Sequence, residues 1–371
     1  MRVWNHVIWA LNAHTGHFEL RAFPTFSNSS SDFVKRNTQS HFPLSKMSGS
    51  DDSSGWQLTE SDPSVFTELL KTLQVPLVVD DLYSLEPSVL SHLKPLHALI
   101  FLFKWLPGAG EPESTGGEYD ADFPGFFANQ VVNNACATLA VLNALGNIES
   151  LPMGQPLTDL ISFTAGMDPQ TRGMAVTSAD WLREAHNALS PPSTISLDGL
   201  NLPKTSEDVY HFVVYLPFTG AVYELDGLKR APIRHGPYEE NGEGWTKRAR
   251  EVIEARIATY PPGALEFSLL ALHDDTLPRL EQQLAESEAS GDQLTAAEVS
   301  QQIANEKSKR QRWAFENSLR RHNHFGLIHA LLLALAKGGQ LEAAAEGARS
   351  KMRQRIAERR EKGEDAQMEE D

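Results

Sequence analysis

The chain of 371 residues has one cysteine, Cys136, within "FFANQVVNNACATLAVLNAL" (126–145). There a polar segment gives way to an apolar helical run, and Asn133 or Asn134 is placed to cap the helix that "ACATLAVLNAL" begins. A cysteine in a first turn meets the positive end of the helix dipole and free N–H groups, which favour thiolate over thiol. The thiolate is the reactive form, so the position suits a nucleophile. A small buried hydrophobe is the ordinary alternative for a lone cysteine.

A nucleophile needs a base, and among 13 histidines His211 stands out. It opens "HFVVYL", whose alternation reads as a strand. "PFTG" reads as a four-residue hairpin loop, and "AVYELD" as a returning strand ending on Asp226. Closing Leu216 on Ala221 places His211 directly opposite Asp226, with Cβ atoms about 4.5–5.5 Å apart. A carboxylate there holds the imidazole's tautomer and orientation while the other ring nitrogen takes the thiol proton. An ordinary polar cross-strand pair is the plainer reading. Attack on a carbonyl also needs oxyanion donors, which a side-chain amide upstream and the Cys136 N–H together supply. Gln130 lies six residues before the cysteine; on spacing alone Asn129, Asn133 and Asn134 are equal candidates.

The elements that must position these groups alternate along the chain. Asp62 is an N-cap with Pro63 at the first helical position, and Val65, Phe66, Leu69, Leu70 and Leu73 then share one face. "PLVVDDLYSL" and "HALIFLFKWL" read as strands, the second apolar on both faces and therefore central. "GAGEPESTGGEYDADFPG" is a loop by its glycines, prolines and acids. "SADWLREAHNAL" (178–189) reads as a capped helix, followed by the polar loop "SPPSTISLDGLNLPKTSED". "GWTKRAREVIEARIATYP" carries a helical stripe of Trp245, Ala249, Val252, Ile253 and Ile257, and "GALEFSLLALHD" is another strand. This interleaving, up to about residue 273, indicates a mixed α/β (α+β) domain. From about residue 275 the pattern is helical throughout. "FGLIHALLLALAKGG" is apolar on nearly all sides and must be buried by this domain or by a partner.

Bulk properties narrow the classes. With 49 acidic and 33 basic residues, the net charge of −16 makes a poor surface for nucleic acid and a better one for a basic partner. No apolar run approaches the roughly 20 residues that span a bilayer. One cysteine leaves no internal disulfide and no thiolate zinc cluster within these residues, which fits a reducing compartment. Residues 1–50, with five basic residues and two acidic ones, stand apart from the rest. "MSGSDDSSGWQLTESDPSVF" from Met47 reads like a natural N-terminus, so deleting residues 1–46 is expected to leave activity intact. The expected division is an N-terminal extension (1–50), a catalytic domain (51–273), a helical extension (274–345) and a charged tail (346–371). Seven basic residues between Arg349 and Lys362 precede an acidic end in that tail.

Taken together, "FFANQVVNNACATLAVLNAL", "RGMAVTSADWLREAHNAL", "DVYHFVVYLPFTGAVYELDGLKRAPIRHG" and the opening "GWQLTESDPSVFTELLKTLQV" resemble the ubiquitin carboxyl-terminal hydrolase family of papain-like cysteine peptidases. The resemblance covers residues 55 to 272. It implies a papain-like fold with a central antiparallel sheet flanked by helices, and hydrolysis after the C-terminal glycine of ubiquitin. Carried over residue by residue, it makes Cys136 the nucleophile, His211 the general base and acid, Asp226 its orienting partner and Gln130 the oxyanion stabiliser. It implies no cofactor and no metal. The loop at about Leu189 to Asp208 corresponds to the family's crossover loop, through which the leaving group passes. "KRQRWAFENSLRRHNHFGLIHALLLALAKGGQLEAAAEGA" resembles the all-α extension of the long, proteasome-associated type. That implies docking on a ubiquitin-receptor subunit of the proteasome, a cytoplasmic and nuclear location, and no direct contact with nucleic acid or membrane. Two other readings stay open: a protease for another ubiquitin-like modifier, and a partner-activated scaffold with a latent site.

Overall fold

The computed structural model describes residues 54–105, 116–190, 209–260, 267–322 and 325–361, all within one compact unit. The N-terminal extension and most of the expected crossover loop lie outside the described residues. At the centre is a seven-stranded sheet formed by β1 (Leu77–Asp81), β2 (Leu96–Trp105), β3 (Glu118–Tyr119), β4 (Val209–Phe218), β5 (Ala221–Leu225), β6 (Ile233–Pro237) and β7 (Phe267–Asp274). Its strand order is β1-β7-β2-β4-β5-β6-β3, with every neighbouring pair antiparallel.

Both faces of the sheet are covered, which is why its central strands are apolar on alternate and intervening positions alike. Phe212, Val214 and Leu216 of β4 and Ile100 of β2 pack into one core with the helix Cys136–Leu145. Val213 and Tyr215, with Leu99, Phe101 and Phe103, pack into a second core against Ala249, Val252 and Ile253 of the helix Trp245–Ile257. Every residue of the cysteine helix after Cys136 itself is buried. The helix Pro63–Thr72 starts as its sequence predicts: the Asp62 side chain accepts from Ser64 N at 2.8 Å, with Pro63 in the first turn.

Three sequence expectations are corrected. The β4–β5 hairpin turns on two residues, Thr219 (φ 45°) and Gly220 (φ 76°), because positive φ at both turn positions matches the right-handed twist of the strands. Phe218 therefore pairs with Ala221 and Leu216 with Tyr223. Pro217 continues the strand rather than opening a loop. Pairing with β2 has ended by Tyr215, so the missing N–H faces no ladder there. The helix expected over 178–189 spans Asp180–Asn187 and has no side-chain cap; Ser178 instead closes the preceding helix Pro169–Thr177. That helix and Gln155–Phe163 were not legible from periodicity, both being short and each with a proline in its first turn. The third correction, at the cysteine helix, belongs with the site.

Beyond β7 the described residues form helices joined by short turns, in keeping with the composition of that part. Helices Thr276–Ser290 and Gln293–Arg320 pair across a turn at Gly291, which takes the left-handed conformation (φ 74°) that favours glycine. The long second helix returns to the sheet domain through ion pairs: Lys309 to Asp80 at 2.8 Å, and Arg310 to Asp275 at 2.5 Å. The helices Phe325–Lys337 and Leu341–Glu361 follow. Leu327 is 59% exposed and Leu331 55%, so this largely apolar helix is left mostly uncovered by the described part of this chain. No helix among the described residues is long and apolar enough to cross a membrane.

Candidate active site

Cys136 is the first residue of its helix, half-buried at the edge of the first core. Neither asparagine before it acts as the cap. Ala135 holds the N-cap position, and no side chain bonds the first-turn N–H groups. Asn134 instead adopts a left-handed conformation (φ 65°) and donates its amide to Trp56 O at 3.0 Å. The result favours anion chemistry: the amides that a cap would have satisfied are left at the cysteine's end of the helix.

His211 and Asp226 meet, though not as direct cross-strand partners. Continuing the observed register by one step sets Asp226 opposite Val213, two residues along from His211. A slip of two preserves the face, and diagonal neighbours about 7–8 Å apart are within reach of an imidazole and a carboxylate. His211 Nε2 and Asp226 Oδ1 lie 2.6 Å apart, both residues buried. Asp226 Oδ1 also accepts from Leu228 N at 2.9 Å, which fixes the carboxylate where the strand ends. The Cys136 sulfur is a further side-chain partner of His211. Burial works to lower the imidazole's pKa; the Asp226 carboxylate outweighs it, the Cys136 sulfur adds to the lift, and the pKa stands at about 9. Burial likewise works to raise Asp226, and the facing imidazolium holds it below the usual carboxylate range. Phe103 sets its ring edge-to-face against His211 at 5.8 Å and lies beneath the Arg256 guanidinium at 4.2 Å. Two residues before Asp226, the buried Glu224 accepts from Arg256 at 2.7 Å and meets His235 at 3.0 Å, anchoring the strand that presents the carboxylate.

Gln130 is placed by three asparagines, of which the sequence singled out Asn129 alone, and in a different role. From the cysteine helix, Asn143 brackets Ala128, its Oδ1 accepting from Ala128 N at 2.8 Å and its Nδ2 donating to Ala128 O at 3.2 Å. One turn later, Asn147 does the same to Phe126 at 2.8 Å for each bond. Asn129 is neither cap nor oxyanion donor. Its amide donates to Gly227 O at 3.1 Å and Lys229 O at 2.7 Å, tying this segment to the turn after Asp226. Gln130 N donates to Gly227 O at 2.8 Å, and a Cβ on Gly227 would stand 3.1 Å from that nitrogen, so glycine permits the approach. The available signal was two asparagines spaced i, i+4 at the end of an otherwise apolar helix. Gln130 Nε2 donates to Val132 O at 3.2 Å and retains a second N–H. Among the described residues no group of three or more His, Cys, Asp and Glu side chains is arranged to hold a metal ion.

A thiol on an uncapped helix end, beside an imidazole held by a buried carboxylate and backed by an antiparallel sheet, defines a papain-like cysteine hydrolase. The comparisons specify the family. The model described as ubiquitin carboxyl-terminal hydrolase, family 1, matches residues 56–258, and a second, described as ubiquitin carboxyl-terminal hydrolases, matches 296–341. Ubiquitin carboxyl-terminal hydrolase 2 of Schizosaccharomyces pombe is 37% identical over 284 residues, covering 76% of this chain and 91% of the relative. Ubiquitin carboxyl-terminal hydrolase isozyme L5 of Dictyostelium discoideum is 30% identical over 341 residues, covering 81% and 97%. Among solved structures, UCH37 of Trichinella spiralis bound to ubiquitin vinyl methyl ester is similar with a TM-score of 0.55 and 33% identity, covering 70% of this chain and 99% of that one. The chain belongs to the ubiquitin carboxyl-terminal hydrolase family and is a cysteine-type deubiquitinase.

Proposed function

We propose that Cys136, His211, Asp226 and Gln130 are the catalytic residues, cleaving the bond after the C-terminal glycine of ubiquitin. The carrying observation is the buried His211–Asp226 pair, with the only thiol of the chain, Cys136, as the imidazole's other side-chain partner. The sulfur attacks the glycine carbonyl carbon, forming a C–S bond and an oxyanion, which the Cys136 N–H and the Gln130 amide stabilise. The C–N bond then breaks as His211 gives its proton to the leaving amine. Water, losing a proton to the same imidazole, attacks the thioester and releases the carboxylate and the thiol. Asp226 stays ionised throughout, holding the ring and stabilising its charged form.

Recognition of ubiquitin is supported by the likeness to a structure solved with a ubiquitin ester. Docking at a proteasome ubiquitin-receptor subunit, through the helical extension assigned to 274–345, is supported by the uncovered leucines of Phe325–Lys337 and by the second family match. A cytoplasmic and nuclear location goes with that partner. The test mixes the full chain, and separately Cys136→Ala, with ubiquitin bearing a thiol-reactive electrophile at its C-terminus. An adduct with the native chain alone is the expected result; adducts with both, or with neither, refute the assignment. For docking, Leu331→Asp with Leu332→Asp is expected to lose co-sedimentation with purified proteasome regulatory particle while hydrolysing a fluorogenic ubiquitin amide normally.

A further inference from the structure

Residues 54–62 run as a strap beside the active site, bonded at both ends, and neither end is part of the chemistry above. At the near end the strap brackets Cys136. Trp56 O accepts the Asn134 amide at 3.0 Å, and Ser54 Oγ donates to Asn133 O at 3.4 Å, both just before the cysteine. Just after it, the buried Thr138 hydroxyl lies 2.8 Å from His186 Nδ1. His186 Nε2 lies 2.7 Å from Gln57 O and 3.1 Å from Thr59 Oγ1, and Trp56 packs its indole edge-on against the ring at 4.8 Å. The Gln57 carbonyl can only accept, so Nε2 carries the proton and Nδ1 accepts from Thr138. Burial supports that neutral tautomer, pressing His186 down to about 4. With no side-chain cap, the first turn of the cysteine helix takes its side-chain bracing from these strap contacts.

At the far end, Arg320 closes the long helix of the extension. Its guanidinium, 9% exposed, reaches Asp62 at 2.8 Å and Glu60 at 3.2 Å. It also donates to Ser64 Oγ at 3.2 Å. Asn317, one turn earlier, donates to Ser64 O at 3.0 Å. Five residues after Arg320 begins the mostly uncovered helix Phe325–Lys337.

We propose that this strap couples the helical extension to the catalytic cysteine, with His186 and Thr138 as positioning residues that hold the first turn of the cysteine helix in register with His211. The inference rests on Cys136 being the nucleophile. It differs from a purely structural role because it predicts an energetic link between two distant sites, where independent sites are additive.

The test is a double-mutant cycle in the full chain between Thr138→Val, which removes one hydroxyl at constant shape, and Arg320→Gln. Steady-state hydrolysis of a fluorogenic ubiquitin amide and alkylation by iodoacetamide are both followed; with a single cysteine, alkylation reports on Cys136 alone. Thr138→Val is expected to lower kcat about tenfold with KM nearly constant, to slow alkylation in parallel, and to be rescued by Thr138→Ser. Arg320→Gln is expected to lower kcat about threefold, and the double variant to be no slower than Thr138→Val alone. Single effects that multiply in the double variant, or a kcat unchanged by Thr138→Val, overturn the proposal. If Thr138→Val does not fold, an Arg320→Gln chain that alkylates and turns over at the native rate overturns it equally. Hydrolysis surviving in Cys136→Ala marks the different failure, that of the nucleophile assignment.

Discussion

Two helices of this molecule are almost equally apolar and meet opposite fates. "CATLAVLNAL" is buried from Ala137 to Leu145 against the sheet, whereas "FGLIHALLLALAK" leaves five of its residues among the large exposed hydrophobics. Apolarity dictates that a helix be covered but not what covers it. The first has two asparagines near its end that stitch it to the neighbouring segment, and a thiol at its start. Among the described residues, the second shows no such polar registration toward the sheet domain.

The widest expected effect lies at the pair the inner helix serves. Asp226→Asn should lower kcat by roughly 10⁴-fold, the scale on which loss of an orienting carboxylate acts in triads. The alkaline limb of activity, set by His211 at about 9, should move down as well, because the carboxylate is the main group raising that pKa. A loss under tenfold would show that the charge beside His211 is not what orients it. Next comes the core: Leu142→Ala, at a fully buried position, should cost about 2–5 kcal/mol by urea denaturation.

A smaller, pH-dependent effect belongs to His186. Its pKa of about 4 lies below the ordinary 6.5, so between those values the unfolded chain binds a proton that the native chain refuses. The stability this group contributes is present above pH 6.5 and lost as pH falls toward 4, by about 3 kcal/mol at most. His186→Gln should flatten that part of the native stability curve, and parallel curves for the two proteins would contradict the assignment. The smallest effect is expected on the outer helix, where Leu331→Asp should shift stability by less than about 0.5 kcal/mol and leave turnover unchanged. A Leu331→Asp chain that unfolded like Leu142→Ala would erase the distinction between the two helices.

Much of this was legible because local physics carried it. The polar-to-apolar switch at Cys136 marked a helix start, and alternation in "HFVVYL" and "AVYELD" put His211 and Asp226 on one face. The loop length was misjudged because Pro217 reads as a loop residue, and it extends the strand only because β2 no longer pairs beside it. The pair survived that error because the slip was even. What stayed hidden depended on contacts far apart in sequence: Asn134 serves Trp56 rather than its own helix, and His186 joins residues from two segments distant from its own. No window of sequence holds those groups together.

The solitary thiol has a consequence for oxidative chemistry. If peroxide converts Cys136 to a sulfenic acid, no second thiol exists in these 371 residues to capture it as an internal disulfide. Recovery then requires a small thiol such as glutathione to reach the half-buried sulfur, failing which a second oxidation to the sulfinic acid is irreversible. Access of such a thiol to the Cys136 sulfur therefore sets how long an oxidised molecule stays oxidised.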